Sequence, residues 1–424
     1  MNKTTQRPCS VIRYSALVGL GLCLMPQTGW GQDFEAPPTL SAAQILPASL
    51  VKGPNHTVDD RVLNDGYMNH YTIQSRFGQF EVVSTAKLRK RVDEITALVA
   101  MEQVKGTDVF GDAVIKGGES AVRGVKHLVT DPIGTVKGAV SGVGKIFGRI
   151  NENLFGSNRS DQEEGRLKSL IGFDDTKRDY AADFGVDPYS HNEALQDELN
   201  DIAWTGFAGE LAPSVALAAV PGGAGVVLSV TQNTDMLNEV FRTTAPVDLR
   251  KMNREKLIAM GVTNDIVELF IDNAIYTPRE QTILVVALDA IKGAKGREAF
   301  VKTAILADNA EIAYFRQRQA QMYAAYHRMI APISAFVPMG RLAGALLADG
   351  NLVVVVPLDL LAWTEPMGSF IANASNYIDQ TMKPAGKHLV IAGAATGLAK
   401  AKMAELGWTL TEGGDSQLMP NLPY

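Results

Sequence analysis

The sequence contains few cysteines: its 424 residues include only Cys9 and Cys23. Both lie in the first 31 residues, so the rest of the chain can form no internal disulfide and has no thiolate nucleophile. Cysteine proteases and zinc-thiolate sites are therefore excluded beyond that point. Histidine is also scarce, with six residues scattered along the chain, and no spacing among them indicates a metal site.

Catalytic and nucleotide-binding motifs are absent as well. There is no H-E-x-x-H and no G-x-S-x-G, the patterns of zinc metalloproteases and of many serine hydrolases. "GVGKIF" lacks the upstream glycine and the Ser or Thr of a phosphate-binding loop, and no dinucleotide-binding fingerprint surrounds Gly393. We therefore expect no cofactor and no metal, and the motifs assign no catalytic residue.

One weak catalytic pattern is present. Ser84-x-x-Lys87, Ser190-x-Asn192 and the tripeptide at 302–304 follow the chain order of the motifs in penicillin-recognising serine enzymes. The third element reads Lys-Thr-Ala instead of Lys-Thr-Gly, and it lies in a predicted helix rather than on a strand. We expect this pattern to have arisen by chance.

The chain carries a modest excess of negative charge. Its formal net charge is −6, and the first 31 residues contribute Lys3, Arg7 and Arg13 without an acidic residue, which leaves −9 on the remainder. General nucleic-acid binding requires a basic face that displaces counterions from phosphates. We therefore expect no nucleic-acid partner.

The N-terminus has the pattern of a secretory signal peptide. A basic region precedes the apolar run "YSALVGLGLCLM", and "GWG" supplies small residues for cleavage before Gln32. This predicts removal of residues 1–31 and a periplasmic or secreted mature protein, free or peripheral to a membrane. Two alternatives are lipidation at Cys23, which Leu22 disfavours, and a retained anchor, for which the run is shorter than the ~20 residues of a bilayer span.

The most unusual segment is "DPIGTVKGAVSGVGKIFGRI", residues 131–150. From Val122 onward, apolar side chains recur every three or four positions, which predicts two consecutive amphipathic helices with a bend at Asp131. The glycines of the second helix each cost about 1 kcal/mol relative to alanine. This helix therefore needs a surface that covers its apolar face.

Two surfaces fit this requirement. The segment 113–150 has six basic and two acidic residues, which is typical of a helix that binds an anionic membrane surface. The alternative is packing within the protein through a stripe formed by Gly134, Gly138 and Gly142. On the first interpretation the partner is an anionic membrane surface or an envelope protein. The predicted contact residues are then Arg123, Lys126, Lys137, Lys145, Arg149 and Phe147.

The remaining patterns predict an α+β fold that is predominantly α-helical. Alternating apolar residues predict a β-hairpin around Gly78 and another at 342–356, and a small βαβ-like unit follows near the C-terminus. A helix from about 85 to 103 should expose the basic run "KLRKR" to solvent. The uncharged segment 211–230 is predicted to form a buried hairpin, with a membrane-inserting hairpin or a membrane span as alternatives.

Residues 248–329 are predicted to be helical. "TPRE" is a capping box in which Thr277 is the N-cap, and a long helix after Gly296 should bury one side as far as Met329. The predicted segments are a signal peptide (1–31), a flexible linker (32–64), a hairpin with amphipathic Gly-rich helices (65–160), a helical domain (161–335), a small α/β unit (336–412) and a tail (413–424).

These patterns favour an exported, non-enzymatic envelope protein that binds a membrane surface or an envelope partner through its basic Gly-rich segment. The alternative is an envelope hydrolase whose site is assembled from residues distant in sequence. The sequence identifies no small-molecule ligand. We expect a binding protein of the first kind to lack a converging polar pocket, whereas the hydrolase should have polar side chains meeting in a cleft.

Overall fold

A computed structural model describes residues 34–116, 161–219 and 235–419 of the protein. These residues belong to one compact unit. The fold is α+β and predominantly helical, as predicted. An N-terminal antiparallel sheet is followed by a helical middle region and then by a mixed sheet near the C-terminus.

The N-terminal sheet begins earlier than expected. Its central strand, β4, pairs with β5 on one edge and with β2 and β3 on the other. The prediction of a flexible linker at 32–64 is wrong for most of this range, because Ala42, Val58 and Val62 are buried in the core behind the sheet. The elements are β1 (Thr39–Ser41), α1 (Ala42–Ile45), α2 (Ala48–Val51), β2 (His56–Val58), β3 (Arg61–Asn64), β4 (Asn69–Ser75) and β5 (Gly78–Val83).

Helix α3 (Thr85–Lys105) follows the hairpin of β4 and β5, as the sequence predicts. Ser84 is its N-cap, and the Ser84 side chain accepts a hydrogen bond from the main-chain N–H of Lys87. The φ of Ser84 is 87°, a conformation that L-residues rarely adopt. This geometry turns the chain sharply from β5 into α3, which brings the first turn of the helix to the site described below.

The middle of the chain is helical, and the capping box at Thr277 forms both of its predicted hydrogen bonds. The expected long helix after Gly296 is instead two helices, because Asn309 accepts from the N–H of Ile312 and starts a new one. The elements are α4 (Asp161–Asp183), α5 (Glu193–Gly209), α6 (Pro213–Ala218), α7 (Asp235–Thr243), α8 (Pro246–Ala259), α9 (Asn264–Ile271), α10 (Pro278–Ala290), α11 (Glu298–Ile305) and α12 (Ala310–Met329).

The apolar segment 211–230 is described only as far as residue 219. That part contains α6, and both Leu211 and Ala216 are buried against α3, α4 and α5. Within the described parts of the chain, no helix is long and apolar enough to cross a membrane. The predicted second half of the hairpin lies outside the described residues.

The C-terminal sheet has the strand order β12-β10-β8-β7-β6. The predicted hairpin at 342–356 is formed by β7 and β8, and the predicted βαβ-like unit is the parallel pair of β10 and β12 joined by α14. A second parallel pair, β8 with β10, was not predicted. The elements are β6 (Ile333–Met339), β7 (Leu342–Leu347), β8 (Leu352–Val356), β9 (Leu360–Leu361), α13 (Glu365–Thr381), β10 (Lys387–Ile391), β11 (Ala394–Ala395), α14 (Gly397–Glu405), β12 (Trp408–Thr411) and α15 (Gly414–Leu418).

Helices cover both faces of this sheet. Val353 and Val355 of β8 face a core that includes α12, whereas Val354 and Val356 face the core under α13 and α14. The predicted apolar side of the long helix is buried at Tyr326 but not at Met329, whose exposed fraction is 49%. Because both faces are covered, the ends of the parallel strands are the favoured position for a binding site.

The prediction of a free tail at 413–424 is wrong for its first half. Residues 414–418 form α15, and Leu418 and Met419 are buried against the sheet and α12. The positive φ of Gly413, 70°, allows the chain to turn back over the end of β12. The end of the sheet is therefore lined by residues from the last described segment of the chain.

Candidate functional site

A cleft of about 650 Å³ lies at the carboxyl ends of β8, β10 and β12. It is lined by the residues that follow these strands, by the first turns of α3 and α12, and by β4 of the N-terminal sheet. We call it the carboxyl-edge cleft. In α/β sheets, the carboxyl ends of parallel strands are the usual position for a ligand. The charged residues of its lining are Asp65, Arg89, Glu311, Arg316, Arg318, Asp359 and Asp415.

Helix α12 is fixed against the sheet by hydrogen bonds to the main chain of β8. Beyond its short pairing with β7, β8 leaves Val355 without a neighbour on that side. Gln319 Nε2 donates to the carbonyl of Val355 over 3.0 Å, and the Tyr323 hydroxyl accepts from the Val355 N–H over 3.2 Å. The same hydroxyl donates to the carbonyl of Ala343. Two buried polar side chains thus replace the missing strand contacts and hold α12 beside the cleft.

Asp359, just after β8, joins the two sheets. Its carboxylate accepts hydrogen bonds from the N–H of Asn69 at 3.0 Å and from the N–H of Thr85 at 3.0 and 3.1 Å. Burial raises the pKa of Asp359 to about 6, although these hydrogen bonds act in the opposite direction. The carboxylate therefore fixes the start of α3 at the cleft, and both of its oxygens are used for this.

Asp415 of α15 bridges two arginines in the cleft. Arg318 Nη2 lies 2.6 Å from Asp415 Oδ1, and Arg89 Nη1 lies 3.0 Å from Asp415 Oδ2. Arg318 is almost fully buried, with 2% of its side chain exposed. This bridge connects α12, α3 and the C-terminal segment, so that three distant parts of the sequence form one wall of the cleft.

Arg316 is buried in the cleft wall, and no carboxylate of the described residues lies within ion-pair distance of it. Its Nη1 donates to Gln319 Oε1 over 2.9 Å, its Nη2 donates to the carbonyl of Arg341 over 3.0 Å, and its Nε has no acceptor among the described residues. Burial lowers the pKa of the guanidinium; Tyr276 and Tyr323 act in the opposite direction, and the neighbouring Arg341 charge lowers the pKa further. The hydroxyl of Tyr314, another residue of the lining, has no hydrogen-bond partner in the part of the chain that the structure describes.

The basic run of α3 is largely buried, contrary to the prediction of a solvent-exposed face. We call Lys90, Arg91, Glu94 and Asp187 the α3 ion cluster: Lys90 lies 3.0 Å from Asp187, and Arg91 lies 3.3 Å from Glu94. Burial alone would lower the pKa of Lys90, but the nearby carboxylates outweigh it and raise the pKa. The loop before α5 supplies Asp187. The basic side chains therefore hold α3 against this loop and are not a solvent-exposed face.

The weak penicillin-enzyme pattern does not form a site. The Ser84 side chain caps α3, whereas Ser190 and Asn192 both donate to Glu94, at 2.6 and 3.0 Å. Lys302 forms an ion pair with Glu298 on α11. The three elements of the pattern thus contact three different partners.

The predicted membrane or partner contact residues are outside the described part of the chain. This holds for Arg123, Lys126, Lys137, Lys145, Arg149 and Phe147. Among the residues that the structure describes, no group of three or more His, Cys, Asp or Glu side chains could hold a metal ion. Each described histidine that lies near a carboxylate contacts one carboxylate, as His70 does with Asp65.

Sequence reasoning missed the carboxyl-edge cleft, although one signal was available. The stretch "RQRQAQ" lies in the middle of a predicted core helix, where four consecutive polar residues, 316–319, are buried. Buried polar side chains are costly unless they find partners, so such a stretch indicates either a polar network or a binding site. Comparisons with protein-family models, curated proteins and solved structures found no match to this chain.

Proposed function

We propose that this protein binds a small organic molecule in the carboxyl-edge cleft. The observation that carries the proposal is the buried guanidinium of Arg316, which lines a cleft of about 650 Å³ without a carboxylate partner among the described residues. The volume is within the range of small-molecule sites, which are mostly apolar with a few converging polar groups. The apolar part of this lining includes Phe315, Leu342 and Pro357.

A hydrolase with a site assembled from distant residues is the alternative. Two observations favour it: polar side chains from distant parts of the sequence meet in the cleft, as expected of such a hydrolase, and the pKa of Asp359 is about 6, so this carboxyl can transfer protons near neutrality. Against it, both oxygens of Asp359 accept main-chain hydrogen bonds that hold α3 in place. A general acid needs a free oxygen directed at the substrate, so we favour binding over catalysis.

Export and contact with the cell envelope remain part of the proposal. They rest on the signal-peptide pattern and on the basic segment 113–150 of the sequence. The expected location is periplasmic or secreted, and the basic segment would bring the binding site to an anionic membrane surface or an envelope partner. N-terminal sequencing of protein from the native cell should begin near Gln32, and a sequence beginning at Met1 would contradict export.

The test of ligand binding is a thermal-shift screen of the mature protein against small neutral, cationic and anionic molecules. A compound that binds the native state raises the melting temperature, and the rise grows with the logarithm of its concentration relative to its dissociation constant. Each active compound is then measured on Ala86→Trp, because Ala86 lines the cleft at the start of α3 and a tryptophan there would fill it. We expect this variant to lose the shift.

Ala401→Trp is the matched control, because Ala401 is exposed on α14 and does not line the cleft. It should retain the full shift for every active compound. The proposal would be wrong if no compound shifted the melting temperature, or if all shifts persisted in a folded Ala86→Trp variant. Turnover of an active compound by the wild-type protein would instead support the hydrolase.

A further inference from the structure

No carboxylate of the described residues neutralises the charge of Arg316 in the carboxyl-edge cleft. Its exposed fraction is 7%, and two of its donor nitrogens contact neutral acceptors, Gln319 Oε1 and the carbonyl of Arg341. Arg341 brings a second positive charge to the same region. Buried charges in proteins are normally paired, because removing an ion from water is costly. A buried guanidinium with neutral contacts alone therefore requires another source of negative charge.

The acidic residues of the cleft do not supply that charge, because each contacts another group. Asp65 lies 3.0 Å from His70 Nε2, Glu311 lies 3.9 Å from Lys87 Nζ, Asp359 accepts main-chain N–H groups, and Asp415 bridges Arg89 and Arg318. None of them forms an ion pair with Arg316. The missing anion must then come from outside the described part of the chain.

We infer that the carboxyl-edge cleft binds its ligand through an anionic oxygen, a carboxylate or a phosphate, which pairs with Arg316. The inference rests on the proposed function and adds the chemical class of the ligand. A guanidinium suits both groups because it presents several N–H donors in one plane. Phe315 with Leu342 provides an apolar surface for the rest of the ligand.

Isothermal titration of the mature protein with three matched probes tests this inference. Benzoate and phenyl phosphate carry an anionic oxygen on an aromatic ring, whereas benzamide has the shape of benzoate without its charge. We expect at least one anion to bind about tenfold or more tighter than benzamide, the ratio that one charge-assisted hydrogen bond supplies. Benzoate alone would identify a carboxylate ligand, and phenyl phosphate alone a phosphate ligand.

Three arginine variants show whether Arg316 is responsible. Arg316→Met should abolish the preference for the anion, and Arg316→Lys should keep part of it, because the lysine retains the charge but not the planar donors. Arg328→Met removes the same charge from an exposed position near the end of α12 and should leave all three affinities unchanged. If Arg316→Met does not fold, the comparison of Arg316→Lys with the wild type still tests the role of the guanidinium.

The outcomes separate this inference from the proposed function. If benzamide binds as tightly as the anions and Ala86→Trp abolishes both, the cleft is a binding site and the anionic class is wrong. An anion preference that survives in Arg316→Met also overturns the inference, because another cation would then hold the anion. If neither anion binds, the inference is wrong, while the wider thermal-shift screen still decides whether the cleft binds a ligand.

Discussion

Two regions of this molecule bury cationic side chains, and they neutralise them in different ways. In the α3 ion cluster, Lys90 and Arg91 each lie within 3.3 Å of a carboxylate. In the carboxyl-edge cleft, Arg316 is equally removed from solvent but contacts an amide oxygen and a main-chain carbonyl. The ion pairs of the α3 ion cluster need no further partner, and their role is to stabilise the fold. Arg316 has neutral contacts only, so a ligand that supplies an anionic group can gain electrostatic free energy by pairing with it.

The largest effect on stability should come from breaking the ion pair of Lys90 with Asp187. Lys90→Met removes the ion-pair partner of the Asp187 carboxylate, which is buried, since only 2% of the Asp187 side chain is exposed. We expect the free energy of unfolding to fall by about 3 to 5 kcal/mol. Urea denaturation followed by circular dichroism measures this loss.

The surface pair of Lys292 with Asp289 provides the control. Lys292 is 72% exposed in its side chain, and Lys292→Met should cost at most about 1 kcal/mol. Adding Asp187→Asn to Lys90→Met should recover part of the loss, because the stranded charge is removed while the Asn oxygen can still accept from Tyr189. Equal losses for Lys90→Met and Lys292→Met would mean that the α3 ion cluster does not stabilise the fold.

Asp359 is an intermediate case, a buried anion held by main-chain N–H groups. Its pKa is raised from 3.8 to about 6 by burial, so the folded protein holds the proton more tightly than the unfolded chain does. Its contribution to stability therefore increases as the pH falls from above 6 towards 4, by up to roughly 3 kcal/mol. In Asp359→Asn this part of the pH dependence should vanish.

Urea midpoints of the wild type and Asp359→Asn at pH 4.5, 5.5, 6.5 and 7.5 would measure it, with the pH values chosen on either side of the pKa near 6. The wild type should gain stability relative to the variant as the pH falls. Parallel curves for the two proteins would show that Asp359 titrates alike in the folded and unfolded states.

A smaller effect on stability is expected when Arg316, the cation with neutral contacts, is removed. Arg316→Met loses its hydrogen bonds to Gln319 and Arg341, but it also removes an uncompensated buried charge. We expect the free energy of unfolding without ligand to change by no more than about 1 kcal/mol, because the two terms oppose each other. A loss as large as that of Lys90→Met would indicate that Arg316 has a structural role like that of the α3 ion cluster.

The smallest effect on stability should come from the basic segment outside the described residues. Changing Lys137, Lys145 and Arg149 together to glutamate should leave the melting temperature nearly unchanged if these charges are exposed. The same change should abolish flotation with vesicles that contain phosphatidylglycerol, because each reversal weakens the attraction by about 2 kcal/mol near an anionic surface. Unaltered flotation would exclude an electrostatic membrane contact.

Gly138→Leu tests the packing alternative for the same segment. A leucine in a close-packed glycine stripe should destabilise the fold by about 1 to 3 kcal/mol through overpacking. If Gly138→Leu lowers the melting temperature while the three charge reversals change neither stability nor flotation, the segment packs within the protein.

The elements that the sequence predicted correctly depend on local chemistry. The capping box at Thr277 and the turn at Asp349 and Gly350 are set by hydrogen bonds and φ values within a few residues. The missed start of α12 had a local signal too, because Asn309 is a good N-cap residue. An apolar pattern that continued through 306–309 concealed this signal, since the same residues fit the spacing of one long helix.

The candidate site could not be predicted in the same way, because its contacts connect distant positions. Arg89 and Asp415 are 326 residues apart, and Arg318 and Asp415 are 97 residues apart. From sequence alone, an arginine with a buried partner looks the same as an arginine on a solvated helix face, and the second is far more common. The carboxyl-edge cleft depends on such long-range pairs, whereas the fold class depends on periodicity.

The bridge made by Asp415 uses a residue that is synthesised late. Arg89 precedes Asp415 by 326 residues, so at ~5 to 20 residues per second Arg89 is made roughly 16 to 65 seconds before the bridging carboxylate. The wall that Asp415 contributes is added last, after both sheets and α12 have been made. A nascent chain stalled before residue 415 would therefore display an unfinished site to any chaperone or protease that meets it.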